Sequence, residues 1–240
     1  MSFRNSVTII ASPRPRVGKT LLARLLVDFH IHEGRRVAAF DLNSGEGTLA
    51  QFAPEHAAVA EIGDIQGQMA LFDRLVAEDD AAKIVDLGQE RFEEFFALAR
   101  RIGFAEEAQQ RGIAPSVLFI ATPDSTSVEA YGRLRSRMPQ LTLTPVHNEL
   151  LGAAPHRDKY PIDAKGGTLL RFSALAPGLR KYVETPPFSF AEAHLANARN
   201  IPLDTHIELQ RWLRKNYLEF RELDLRILLA DLQSSIRLTS

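Results

Sequence analysis

Between an apolar run, Val7–Ala11, and an amphipathic stretch carrying Leu21, Leu22, Leu25, Leu26 and Phe29 stands the triplet Gly18–Lys19–Thr20. Strand, Gly-Lys-Thr, helix is the order that ends the phosphate-loop pattern G-x-x-x-x-G-K-[ST], and it commits the chain to a layered α/β fold. In such a loop the backbone N–H groups and the helix N-terminus cradle phosphate oxygens, the lysine meets the outer phosphates, and the threonine hydroxyl binds Mg²⁺. The N–H groups available for that cradle belong to Arg16, Val17, Gly18, Lys19, Thr20 and Leu21. Pro13 stands in the first glycine slot, with Pro15 and Arg16 following. Proline has no N–H to offer and fixes φ at about −65°, so two potential donors are lost. The competing reading of the triplet is an ordinary strand-to-helix turn whose lysine is a solvated charge.

The rest of the chain repeats the alternation of short apolar runs and helical patterns. Periodicity predicts helices over Thr20–Glu33, Ile65–Ala77 and Glu90–Ile102, one from the Thr122–Pro123–Asp124 turn through Met138, and one over Leu203–Ser235 behind Pro202. Strands are predicted at Val7–Ala11, Arg36–Asp41, Lys83–Asp86, Ser116–Ala121, Leu141–Val146 and Thr168–Phe172, with an irregular loop over Leu150–Gly167. This is the pattern of one doubly wound, mostly parallel sheet with helices on both faces, forming a single domain over residues 1–240. Ligands bind such sheets at the carboxyl ends of the strands. Asp41, Asp86, Thr122 and Asn148 all fall there, beside the phosphate loop.

Composition removes several classes of chemistry. The 240 residues include no cysteine, so disulfides, thiolate metal sites, cysteine nucleophiles and iron–sulfur clusters are excluded. The seven histidines show no metal-ligand spacing. No apolar run approaches a membrane span and the N-terminus lacks a signal peptide's apolar core, so the expected location is cytoplasmic and a membrane partner is not expected. The formal net charge is −1, but its distribution is uneven. Residues 133–181 carry Arg133, Arg135, Arg137, Arg157, Lys159, Lys165, Arg171, Arg180 and Lys181, which makes this segment the place to look for non-specific DNA contact; a solvated basic face explains it equally well. In the C-terminal helix, Trp212, Leu213, Tyr217, Phe220, Leu223, Ile227 and Leu228 are interleaved with charges of both signs, a pattern that suits packing on the sheet or another subunit better than a lipid surface.

Two acids close strands. Asp86, between Lys83–Ile84–Val85 and Leu87–Gly88, fits a carboxylate that holds Mg²⁺ through water, with Gly88 letting the next loop swing toward a γ-phosphate; a helix-capping aspartate is the alternative. Gln89 and Glu90 follow as polar groups able to orient water. Asp41–Leu42–Asn43 ends the second strand. In these features the chain resembles the ParA/MinD family of deviant-Walker ATPases, whose loop runs K-G-G-x-G-K-[ST] and whose second strand ends in D-x-D. Aligned on Gly18–Lys19–Thr20, the family's signature lysine falls on Arg14, its two glycines on Pro15 and Arg16, and its D-x-D on Asp41 and Asn43. Val146–His147–Asn148 is similar to the stretch that places an asparagine near adenine. The resemblance covers residues 7–148.

The resemblance implies an ATP- and Mg²⁺-dependent homodimer. Lys19 would neutralise the β- and γ-phosphates, Thr20 and Asp86 would hold the metal with Asp41 behind them, and Arg14 would reach across the dimer, guanidinium pairing well with phosphate. Such dimers position or partition DNA or protein cargo and are reset when a partner protein triggers hydrolysis. Asn43 replaces the second acid, which in the family helps position the attacking water; an amide hydrogen-bonds water but does not take its proton, so hydrolysis is expected to be slow or partner-dependent. The rival reading is a non-hydrolysing relative that works as a partner-binding module. A biosynthetic ligase on the same scaffold has no nucleophile arrangement to support it.

Overall fold

The computed structural model describes residues 6–43, 48–162, 168–194 and 201–238. Strand β1 (Ser6–Ala11) leads through the loop bearing Gly18 into helix α1 (Lys19–His32), which Gly34 closes with φ +69°. Strand β2 (Arg36–Leu42) is followed by the one-turn helix α2 (Leu49–Phe52), the short strand β3 (Ala57–Val59) and helix α3 (Ile65–Leu75), capped by the Asp64 carboxylate. Then come β4 (Ala81–Leu87), α4 (Phe92–Arg101) and α5 (Phe104–Gln110), β5 (Ala114–Ile120) and α6 (Ser125–Arg137). The chain continues through β6 (Thr142–Asn148), β7 (Leu170–Phe172), α7 (Pro177–Val183) and α8 (Phe190–His194) to α9 (Leu203–Leu238).

The seven strands form one sheet in the order β3-β2-β4-β1-β5-β6-β7, and every pairing is parallel. The expectation of a mostly parallel sheet is therefore met throughout its width. Parallel neighbours need crossovers, and the crossover helices bury both faces of the sheet. On one face α3, α4, α5 and α6 enclose a phenylalanine-rich core of Phe72, Phe92, Phe95, Phe96 and Phe104 with Tyr131. On the other, α1, α7, α8 and α9 pack Phe29, Leu179, Phe190, Trp212 and Phe220 against the sheet. All of β4 is buried, including Lys83.

Some element boundaries move, and several short elements have no counterpart in the predicted set. The predicted helix Glu90–Ile102 starts as a 3-10 turn, Gln89–Arg91, before α4. Helices α2, α5, α7 and α8 and strand β3 are three to seven residues long, too short for a periodic pattern to register; tertiary packing makes them. Of the residues read from sequence, Lys165 and the end of the Leu150–Gly167 loop lie outside the described residues. Among the described residues no helix is long and apolar enough to cross a membrane.

Register sets the site. β2 and β4 pair with Asp41 opposite Asp86, and β1 and β4 pair with Ile10 opposite Asp86, so both acids reach the same edge as the loop that leaves β1.

Candidate functional site

The loop between β1 and α1 opens onto a cleft of about 490 Å³ bounded by α1, the ends of β2, β4 and β6, and α7. Two residues of the loop occupy left-handed backbone. Gly18 has φ +93°, and a Cβ there would lie 2.8 Å from the Asn148 amide nitrogen, so glycine is required on two counts. Arg16 has φ +54°, the conformation of a glycine slot, adopted here by an exposed arginine.

Lys19 is buried and its Nζ donates to the carbonyl oxygen of Arg14 at 2.9 Å, across the mouth of the loop. Burial lowers its pKa, while the nearby Asp86 carboxylate opposes that shift. Thr20 donates its hydroxyl to Asp86 Oδ2 at 2.7 Å. Asp86 is fully buried and its other oxygen, Oδ1, has no hydrogen-bond partner. Burial pushes its pKa up to about 7; the Thr20 hydrogen bond and Lys19 oppose this, and the neighbouring Asp41 reinforces it.

The donor set fits a hard cation that takes oxygen ligands: a threonine hydroxyl and a carboxylate with one orphaned oxygen, beside a lysine that would face the phosphates. Among the described residues no group of three or more His, Cys, Asp or Glu is placed to hold a metal alone. A Mg²⁺ ion at Thr20 and Asp86 would therefore need phosphate and water oxygens to complete its shell, which is the usual manner of Mg²⁺ with a nucleotide.

The remaining predicted residues gather at the same edge, several in other roles than those expected. Asp41 is fully buried and both its oxygens are engaged: Oδ1 accepts from the Asn43 backbone N at 3.1 Å and its Nδ2 at 2.9 Å, and Oδ2 from the Ala50 N–H at 2.8 Å. Asp41 thus anchors the start of α2 and orients Asn43 rather than presenting a free oxygen to a metal. Asn43 Nδ2 also donates to the Asp86 carbonyl at 3.2 Å, so this amide clasps the ends of β2 and β4 together. Gly88 is needed beside it, because a Cβ would meet the Leu42 carbonyl at 2.6 Å.

Asn148 donates Nδ2 to the Val17 carbonyl at 2.9 Å and accepts from the Leu150 N–H at 3.0 Å, holding the β1–α1 loop against the end of β6. Leu21, Gln89 and Glu90 line the cleft. Thr122 does not; its hydroxyl donates to Asp124 Oδ2 at 2.6 Å.

Arg14 is turned away from the cleft. Its Nε pairs with Asp124 Oδ1 at 3.0 Å, and the same oxygen caps α6 by accepting from the Ser127 N–H at 3.1 Å. These contacts, with Thr122, hold the Asp124 carboxyl below its ordinary range against a desolvation that acts the other way. The basic segment is divided between the two faces. Arg133 is ion-paired with Glu93 at 2.7 Å on the α6 side, where Tyr160 donates to the Thr122 carbonyl and draws the turn bearing Arg157 and Lys159. Arg180 and Lys181 ride on α7 at the opposite face.

Sequence reasoning missed the far end of the cleft, lined by Arg24, Phe52, Arg180 and Glu184. One signal was present: Arg24 interrupts the otherwise apolar face of α1 between Leu22 and Leu25–Leu26. Comparison with known protein families and with curated proteins finds no match to this chain.

Proposed function

We propose that the chain is a nucleotide-dependent switch similar to the ParA/MinD ATPases, which binds ATP with Mg²⁺ on the Gly18–Lys19–Thr20 loop, dimerises, and serves to position or partition a cargo. One observation carries this reading. Thr20 and Asp86 are bonded at 2.7 Å with an orphaned, fully buried carboxylate oxygen beside them and Lys19 resting on a loop carbonyl, a donor set that suits a hard cation next to an anion. Lys19 would exchange the Arg14 carbonyl for phosphate oxygens. Thr20 and Asp86 would turn to a metal whose part is to neutralise phosphate charge. Asn148 would keep Val17 and Gly18 in the shape that the phosphates need.

Titration calorimetry with MgATP tests this: wild type binds at a 1:1 ratio per chain, and Lys19→Ala weakens binding by at least tenfold. No heat with wild type and no thermal shift would sink the reading. A second reading, a non-hydrolysing partner-binding module of the same fold, draws on the Asn43 clasp. An amide that donates to both Asp41 and Asp86 leaves no base for an attacking water at that position. Phosphate release measured with and without duplex DNA separates the two readings. The switch releases phosphate above the rate of Lys19→Ala, the module does not. A DNA partner, if the α6 side provides it, shows salt-dependent binding that neutralising Arg157 and Lys159 weakens.

A further inference from the structure

The far end of the cleft holds two guanidinium groups that lack carboxylate partners among the described residues. Arg24 lies five residues past Lys19 on α1, roughly 7.5 Å further along the helix axis at 1.5 Å per residue. It is only 5% exposed and lines the cleft. Its guanidinium stacks over Phe52 at 3.6 Å and stands 5.0 Å from the Phe190 centroid. Those rings hold its plane and offset part of its charge, but they offer its N–H groups no acceptor in their own plane. Among the described residues the guanidinium makes one hydrogen bond, Nη2 to the Phe188 carbonyl at 3.5 Å, and its Nε is buried with no partner. Arg180, on α7 across the cleft, has a buried and unpartnered Nε as well.

A buried cation without a paired anion is costly to a fold, and the buried Arg24, with the half-buried Arg180 facing the same cleft, is hard to explain by packing. Asp28, the acid one turn further along α1, is engaged by the Tyr217 hydroxyl, and Glu184 is exposed at the rim where water screens it. We infer that Arg24 and Arg180 form a second oxyanion subsite, which takes a phosphate or carboxylate group beyond the phosphates held by Gly18–Lys19–Thr20. Planar guanidinium forks suit such oxygens bidentately. The oxyanion has two sources: a further phosphate on the ribose of the bound nucleotide, or a separate small anionic co-ligand. The nucleotide source rests on the proposed function; the subsite itself does not.

Inorganic phosphate, titrated by calorimetry and followed by thermal shift, is the first probe. Two phosphate sites are expected in wild type; Lys19→Ala leaves the Arg24 site, and Arg24→Met leaves the loop site. Because Met fills the groove over Phe52 without a charge, Arg24→Met is expected to melt at or above the wild-type temperature. A single phosphate site that Lys19→Ala abolishes and Arg24→Met does not touch overturns the inference. So does a large fall in melting temperature of Arg24→Met with phosphate binding unchanged, since that marks a purely structural arginine. The second probe separates the sources. Adenosine 3′-phosphate 5′-diphosphate binding at least tenfold tighter than ADP, with the advantage lost in Arg24→Met, assigns the ribose phosphate. Equal affinities, with inorganic phosphate still titrating an Arg24-dependent site when ADP is bound, assign a separate co-ligand. Absence of any ADP binding by wild type defeats the nucleotide reading alone, while an Arg24-dependent phosphate site upholds the subsite.

Discussion

Asn43 and Asp86 carry the chemistry of the site at the residue scale, and their environments pull in opposite directions. An asparagine at position 43 donates to the Asp41 carboxylate and the Asp86 carbonyl, so it is a donor clasp between two acidic strand ends. A carboxylate there would face a carboxylate and a carbonyl with no proton to give. Asn43→Asp is therefore expected to lower stability without nucleotide by about 1–3 kcal/mol, the cost of unpaired buried polar groups, as read by urea denaturation. An unchanged unfolding midpoint would mean that the clasp contributes nothing. Asp86 sets a pH dependence. Its pKa rises from 3.8 in the unfolded chain to about 7 in the fold, chiefly through burial. Between those values the folded state keeps a proton that the unfolded chain has released, so stability falls as pH rises through that window and the full penalty stands above it. Asp86→Asn keeps an oxygen for the Thr20 hydroxyl and removes the charge. Its melting temperature should exceed wild type at pH 8 and converge on it near pH 4; parallel curves across that range would refute the assignment.

Among the elements, β7 and α9 show how a distant helix shapes the cleft. Ser173, just past β7, lines the cleft; its N–H donates to Asn216 Oδ1 at 3.0 Å and its carbonyl accepts from Trp212 Nε1 at 2.9 Å. Asn216 Nδ2 returns to the Trp212 carbonyl at 2.8 Å, so one turn of α9 holds the wall of the site in place. Asn216→Ala strands the Ser173 N–H. It should cost about 1–3 kcal/mol of stability and weaken nucleotide binding several-fold, although residue 216 itself does not line the cleft. Calorimetry showing wild-type affinity in a destabilised variant would separate the wall from the ligand. The sequence carried the long elements clearly: the α1 stripe, the strands ending in Asp41 and Asp86, and the α9 apolar face all have a readable period. It carried the place of the β1–α1 loop too, because Gly-Lys-Thr sits between strand and helix. It did not carry α7 or the Phe188–Phe190 segment, whose few apolar residues acquire meaning only against α1 and α9. The Arg24 subsite showed only as one charge interrupting the α1 stripe. One buried charge within an apolar stripe looks like a surface residue until its neighbours are known.

Across the whole molecule, the question is whether the loop arginine acts within its own chain or on another copy. In this conformation Arg14 pairs with Asp124, and Asp124 also caps α6 and accepts from Thr122. The pair is partly exposed and worth little to stability, so its effect lies in where it holds the arginine. A dimer in which Arg14 reaches the partner's phosphates must first break it, and the energy of that step is subtracted from the energy of association. Asp124→Asn isolates this step. Asparagine retains an oxygen in the place of Oδ1 to cap α6, and its amide NH2, in the place of Oδ2, donates to the Thr122 hydroxyl instead of accepting from it, while the charge that restrains Arg14 is gone. Sedimentation with MgATP should then show the variant dimerising at several-fold lower protein concentration than wild type, with the midpoint without nucleotide unchanged. Arg14→Ala should abolish nucleotide-dependent dimerisation in both backgrounds. If Asp124→Asn dimerises as wild type does while Arg14→Ala still fails, the bridge is incidental to assembly. If Arg14→Ala dimerises normally, the arginine serves its own chain, and the resemblance to a dimeric switch loses the residue on which its assembly depends.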